Sequence, residues 1–210
     1  MRSFSRAVKA ALGTVGLVAA LLGAVAAPAN AEASGPAATA EEALRQAGGI
    51  SPGLDLPLPP EMVGSATPTI CFSGHVQNVG WQHLECYEGD DRHRAYAGTE
   101  GRGLRLEALR VVATNTGGTT CVQAHVQNVG WQNPKCVVDN STAEIGTFGQ
   151  SLRMEAFGLS NSNKNRTVCA EAHMQDHGWL GEKCESLGNS TVVGIASHGL
   201  RMEALRGKLY

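Results

Sequence analysis

Four residue types recur in this chain at spacings that support chemistry: histidine, glutamine, tryptophan and cysteine. His75, Gln77, Asn78, Trp81 and Gln82 stand in the run Gly74-His75-Val76-Gln77-Asn78-Val79-Gly80-Trp81-Gln82. His125, Gln127, Asn128, Trp131 and Gln132 repeat it almost unchanged, and His173, Gln175 and Trp179 repeat it in looser form. A tryptophan beside hydrogen-bonding side chains can stack on a sugar or anchor a protein contact. A His/Gln pair on one strand face can read a glycan hydroxyl or a partner's backbone. The competing account makes each Trp a core anchor at a bend, and each His/Gln pair part of a network tying the copies together. Threefold repetition favours that structural account, so the binding roles stand as candidates. A metal would need the three histidines to converge on an axis, and none is expected. No G-x-S-x-G, H-E-x-x-H or phosphate-loop motif occurs. Adjacent carboxylates appear only as Glu41-Glu42 and Asp90-Asp91, outside the repeated runs. Active sites are ordinarily asymmetric, so neither catalytic residues nor a cofactor is expected.

The elements that must position these residues follow the same period. The tryptophans Trp81, Trp131 and Trp179 are the only three of the chain. A second block follows each: Leu104-Arg105-Leu106-Glu107-Ala108, Leu152-Arg153-Met154-Glu155-Ala156 and Leu200-Arg201-Met202-Glu203-Ala204. Gly98, Gly146 and Gly194 precede these blocks at a fixed distance. Val122, Ala124 and Val126 alternate with Gln123, His125 and Gln127, which is the period of a half-buried strand. Leu152, Met154 and Ala156 alternate with Arg153 and Glu155 in the same way, and ion pairs across strands or between repeats are expected of the charged face. Asn140-Ser141-Thr142 and Asn189-Ser190-Thr191 are turn chemistry that also matches the N-glycosylation pattern. Three such units cannot bury a face singly. An all-β domain closed around a pseudo-threefold axis is therefore expected, as a β-prism or a β-trefoil.

All six cysteines obey the repeat. Cys71 and Cys86, Cys121 and Cys136, and Cys169 and Cys184 flank the three Trp runs. Equivalent repeats should pair equivalently, which leaves a within-repeat set or a cyclic set joining each second cysteine to the next repeat's first. A strand, a bend at Gly-Trp and a return favour the within-repeat bridges Cys71–Cys86, Cys121–Cys136 and Cys169–Cys184. Each closure would stabilise the fold by about 3 kcal/mol in the chain-entropy model.

Arg2, Arg6 and Lys9 precede an apolar run ending at Ala29-Asn30-Ala31, so residues 1–31 read as a signal peptide and the mature chain as secreted. That segment carries three of the 17 basic residues and none of the 19 acidic ones, leaving 14 against 19, a net charge of −5. With no basic cluster, neither nucleic acid nor a membrane surface is an expected partner. No later segment is apolar enough to insert in a bilayer. Residues 32–68 read as a flexible Ala/Pro-rich segment, with one weak helix between Thr39 and Gly48. Its Leu54, Leu56 and Leu58, set among prolines, read as a docking arm for a partner or as a cover for the protein's own domain. The repeats occupy 69–210, divided at about 69–117, 118–166 and 167–210.

The run A-H-V-Q-x-x-G-W-Q followed by G-x(5)-L-R-x-E-A resembles the ChW repeat, the clostridial hydrophobic repeat with a characteristic tryptophan. The matching residues are His75–Gln82 with Gly98 and Leu104–Ala108, His125–Gln132 with Gly146 and Leu152–Ala156, and His173–Trp179 with Gly194 and Leu200–Ala204. The resemblance implies a non-catalytic extracellular interaction module of a Gram-positive bacterium, binding surface polymers or other proteins. The paired cysteines depart from that pattern. So does the third copy, where Asp176-His177 replaces Asn-Val, Leu180 replaces Gln and Ser197 replaces Gly. The expectation is a protein-binding adaptor in an extracellular assembly, with a lectin-like polysaccharide module as the alternative and an enzyme a distant third.

Overall fold

The computed structural model describes residues 35–54, 56–58, 60–62, 66–87, 89–90 and 92–210; the signal-peptide segment lies outside them. Each repeat contributes five strands. The first supplies β1 (Thr69–Val76), β2 (Gly80–Trp81), β3 (Glu85–Cys86), β4 (Ala95–Gly98) and β5 (Leu106–Thr114). The second supplies β6 (Thr119–Val126), β7 (Gly130–Trp131), β8 (Lys135–Val138), β9 (Thr142–Gly146) and β10 (Met154–Asn161). The third supplies β11 (Val168–Met174), β12 (Gly178–Trp179), β13 (Lys183–Glu185), β14 (Thr191–Gly194) and β15 (Met202–Leu209). The two short strands in each copy fold back on the first long one, pairing His75 with Trp81, His125 with Trp131 and His173 with Trp179. Asn78, Asn128 and Asp176 turn the chain there with φ of 61°, 61° and 62°, a left-handed conformation that Asn and Asp tolerate.

These strands form three antiparallel sheets of five, and every sheet borrows its fourth-type strand from another repeat. Strand β9 of the second repeat joins β5 of the first, β14 of the third joins β10 of the second, and β4 of the first closes the ring on β15 of the third. Three separate sheets sharing one core match the prism alternative rather than a continuous barrel. The glycines that precede each repeated block sit at these joints. Gly146 pairs with Ala108, Gly194 with Ala156 and Gly98 with Ala204. A Cβ at these glycines would lie 2.3–2.5 Å from the carbonyl oxygen of Glu203, Glu107 or Glu155. Only a residue without a side chain lets the borrowed strand approach so closely.

One apolar core serves all three sheets. Phe72 and Phe157 meet edge to face with centroids 5.9 Å apart, and Ile70, Leu109, Leu159, Met174, Leu205 and Leu209 pack around them, all essentially buried. Gly207 leaves room for the Phe72 ring, since a Cβ there would sit 2.9 Å from two of its atoms. The disulfides are Cys71–Cys86, Cys121–Cys136 and Cys169–Cys184, the within-repeat set. Each joins residues directly opposite in an antiparallel pair.

The segment before the repeats lies on the domain. Helix α1 (Ala40–Ala47) starts at Thr39, whose hydroxyl accepts from the Glu42 amide, and stops at Gly48 with φ 75°. Its Ala43 and Leu44, with Ala37, cover Cys121–Cys136. Further along, Ser51 and Leu54 bond the backbone at Cys136 and Thr142. Leu58 and Met62 then cover Cys71–Cys86, with the Met62 sulfur set against both cysteine sulfurs. Leu56 is half-buried and Leu54 is exposed. The apolar side chains at Leu58 and Met62 are therefore taken up by the protein's own domain. Among the described residues no helix is long and apolar enough to cross a membrane.

Candidate functional site

Each Trp run comes together with the following repeated block at a seam between two repeats. The sequence alternation alone does not place the glutamate of that block. The ladder slips by one residue there: His75 pairs with Ala108 but Val76 with Leu106, leaving Glu107 in a β-bulge. Glu155 and Glu203 are bulged identically. A bulge re-aims the extra side chain, and here it turns the glutamate under the histidine. Glu107 Oε2 lies 3.0 Å from His75 Nδ1 and Glu107 Oε1 2.7 Å from Arg105. Arg153–Glu155 and Arg201–Glu203 close at 2.8 and 2.9 Å. These ion pairs thus close within one repeated block, at i and i+2, rather than across strands or between repeats as the sequence suggested. The glutamates are nearly buried, so the Arg and His are what keep a carboxylate tolerable there.

The histidines are not equivalent. His75 Nδ1 makes an aligned hydrogen bond to Glu107. His125 Nδ1 is 3.1 Å from Glu155 Oε2 and His173 Nδ1 3.3 Å from Glu203 Oε2, yet neither pair is aligned as a hydrogen bond. Distance alone makes them electrostatic contacts and leaves both nitrogens without a directed partner. Each histidine meets its own glutamate, so the three do not converge on an axis. Among the described residues the one grouping of three candidate metal ligands is Cys169, Glu182 and Cys184, whose cysteines are bonded to each other.

The tryptophans are half-exposed rather than core anchors, each standing edge-on to its histidine at 5.3–5.5 Å. The core takes Val76, Val126 and Met174 from the same runs instead. Gln82 and Gln132 are occupied structurally. Their amides bond both backbone groups of Gly98 and Gly146, respectively, fixing the start of each lid loop. Gln77 accepts weakly from the Arg105 amide, while the Gln77, Gln127 and Gln175 backbone amides bond the carbonyls of Arg105, Arg153 and Arg201. Asn78 and Asn128 serve the turn described above.

Sequence reasoning missed the loops that lid the seams, because the borrowed strands carry them in from the neighbouring repeat. Phe148, after β9, stands 5.9 Å from His75 and 5.8 Å from Trp81. Ser197, after β14, donates its backbone N–H to Glu155 and places its hydroxyl 3.3 Å from His125 Nε2. Glu100, after β4, accepts the Trp179 indole N–H at 3.1 Å. Beside that third seam Tyr96 is half-buried; desolvation foremost, then the Glu100 and Glu85 carboxylates, pushes its hydroxyl up to about 12.

Residues 75–115 and 125–162 each match the family model described as Clostridial hydrophobic W, ChW. Both segments are similar to ChW repeats. The matches cover the first two copies, and the third shares their strand order, bulge and disulfide. No curated protein and no solved structure matches the chain. In both matched segments the tryptophan is half-buried at its seam, as it is in the third copy.

Proposed function

We propose that this chain is a secreted, non-catalytic module that binds a polysaccharide of a cell wall or of the surroundings. The observation that carries the reading is the half-buried Trp131 beside the Arg153–Glu155–His125 cluster, on a plan that recurs at the other two seams. A flat indole gives a sugar ring a stacking surface, and adjacent side-chain amides, hydroxyls and guanidinium groups suit its hydroxyls. The Arg–Glu pairs leave the seams near neutrality, which suits an uncharged glycan better than a phosphate polymer. Their carboxylates are tied up in ion pairs, which supports binding without chemistry. The three disulfides fit an extracellular protein.

The adaptor reading keeps one observation of its own. Ile50, Leu54 and Val138 are all exposed, and bonds from Ser51 to Cys136 and from Leu54 to Thr142 hold them to one stretch of the surface. Such a strip suits a protein partner. Affinity electrophoresis through gels containing hydroxyethyl cellulose, xylan, laminarin or soluble chitin tests the first reading. Retardation in at least one gel, with a change in Trp fluorescence, is expected. Unretarded migration in all of them, with capture of a supernatant protein that is lost on Leu54→Asp, would replace the glycan with a protein partner.

A further inference from the structure

The three seams share a plan but differ in what already fills them. At the first, the Arg110 guanidinium lies 3.8 Å from the Trp81 ring centroid, held there by Glu144, while Phe148 packs on the other rings. At the third, the Arg206 guanidinium lies 4.2 Å from the Trp179 centroid, held by Glu171, and Glu100 takes the indole N–H. In the second repeat the register position of Arg110 and Arg206, two residues beyond the repeated Ala, is Gly158. The position of Phe148 and Glu100, two residues beyond the joint glycine, is Ala196. Trp131 therefore has no guanidinium over its face, and its indole N–H has no acceptor among the described residues.

A cleft is open at this seam. It has a volume of about 340 Å³ and is lined by His125, Gln127, Asn128, Arg153, Glu155, Ser197 and two glycines, one of which, Gly130, precedes Trp131 in the chain. His125 is nine-tenths buried at its wall, with Nδ1 lacking an aligned partner. Ser197 occupies the left-handed position held by Gly101 and Gly149 in the other lids, with φ 63°. A glycine would fit that backbone without strain, whereas the serine brings a hydroxyl to His125 Nε2. Ser151, at φ 58° where the other lids have Gly103 and Gly199, carries the same strain in the lid of the first seam, so what sets Ser197 apart is its hydroxyl contact with His125.

We infer that the second seam, built from His125, Trp131, Arg153, Glu155 and Ser197, is the single open sugar subsite, and that the first and third are closed by the protein's own side chains. This rests on the glycan reading above. The subsite takes one uncharged pyranose ring, a hexose or N-acetylhexosamine. Its face lies on Trp131, and its hydroxyls meet Asn128, the Arg153 guanidinium and the Ser197 hydroxyl. Arg153 and Glu155 cancel in charge, so a uronic acid or a phosphorylated sugar gains nothing there.

The test is calorimetric titration of the intact protein with cellotetraose, laminaritetraose, xylotetraose and N-acetylchitotetraose. One site per chain is expected for the sugar that binds. Trp131→Ala should abolish it, and Trp81→Ala and Trp179→Ala should leave the affinity within about twofold. Because Trp131→Ala could act through folding, Ala196→Phe provides a second arm. It installs the Phe148-type lid on a surface loop, and should lower affinity at least tenfold with an unchanged melting temperature. The pair Arg110→Gly with Phe148→Ala should open the first seam and raise the stoichiometry to two. Three sites in the parent, each lost with its own Trp, would overturn this inference and leave the glycan reading standing. No heat with any of the sugars, together with free migration in every polysaccharide gel, would overturn both.

Discussion

Replacing Gly146 by alanine tests whether the strand-exchange joints hold the ring together. Gly146 has φ 86°, and an added Cβ would sit 2.5 Å from the Glu107 carbonyl oxygen and 2.7 Å from the Ala108 Cα. The left-handed backbone costs an L-residue about 1–2 kcal/mol. Forcing backbone apart in a packed site costs about 1–3 kcal/mol more. The sum, about 2–5 kcal/mol, should lower the melting temperature by roughly 4–20 °C for a domain of this size. Two internal controls separate the terms. Gly149 has φ 72° with nothing within 4 Å of an added Cβ, so Gly149→Ala should lose the backbone part alone. Gly158 has no positive φ, and its Cβ would meet its nearest neighbour at 3.7 Å. Gly158→Ala should be neutral or stabilising by up to about 1 kcal/mol, since it restricts the unfolded chain. Urea unfolding of the three variants, with slopes compared, gives the ordering. Equal losses for Gly146→Ala and Gly149→Ala would refute the close approach at the joint.

Met62, nearly buried against Cys71 and Cys86, should cost about 2–5 kcal/mol on Met62→Ala; an unchanged urea midpoint would show that the segment merely rests on the surface. Cys184 is exposed, whereas Cys136 is buried and Cys86 half-buried beneath the N-terminal segment. Under limiting dithiothreitol, alkylation and peptide mapping should find Cys169–Cys184 opened first, and prior opening of Cys121–Cys136 would contradict this. Tyr96 should ionise near pH 12, later than an unperturbed tyrosine, in an ultraviolet titration. Its folded-state value is raised, so its contribution to stability is complete below the ordinary tyrosine range near 10 and is lost as pH rises toward 12. The absence of a late-ionising tyrosine would remove Tyr96 from the third seam.

Strand phase, disulfide pairing and the helix at Thr39–Gly48 were all legible in the sequence, because each depends on neighbours close along the chain. Alternation from Val122 to Val126 set the buried face, and a strand, a bend at Gly-Trp and a return favoured the within-repeat cysteine pairs over the cyclic set. The loop residues Phe148, Ser197 and Glu100 were hidden for the opposite reason. Each reaches its tryptophan only because a strand crosses into another repeat's sheet, and local periodicity carries no record of that. The Arg105–Glu107 pairing misled in a smaller way. Strict alternation puts both side chains on an outer face, whereas the bulge turns Glu107 beneath His75. The tryptophans were ambiguous in principle, since an aromatic after a turn glycine can face either way until the lid is known.

The exchanged strands also impose an order of events on the chain as it folds. Each disulfide closes a short hairpin, so every copy can staple itself early and alone. Strand β4, by contrast, waits for β15, the last strand of the chain. Until that final segment arrives, the first repeat holds a strand with no partner and the third holds an open edge. The slow step is therefore the meeting of the two ends of the repeat array, a contact whose closure entropy grows with the whole length between them. A chain cut short before Met202 would carry two correct disulfides or three, and still present a bare strand edge to every other such chain.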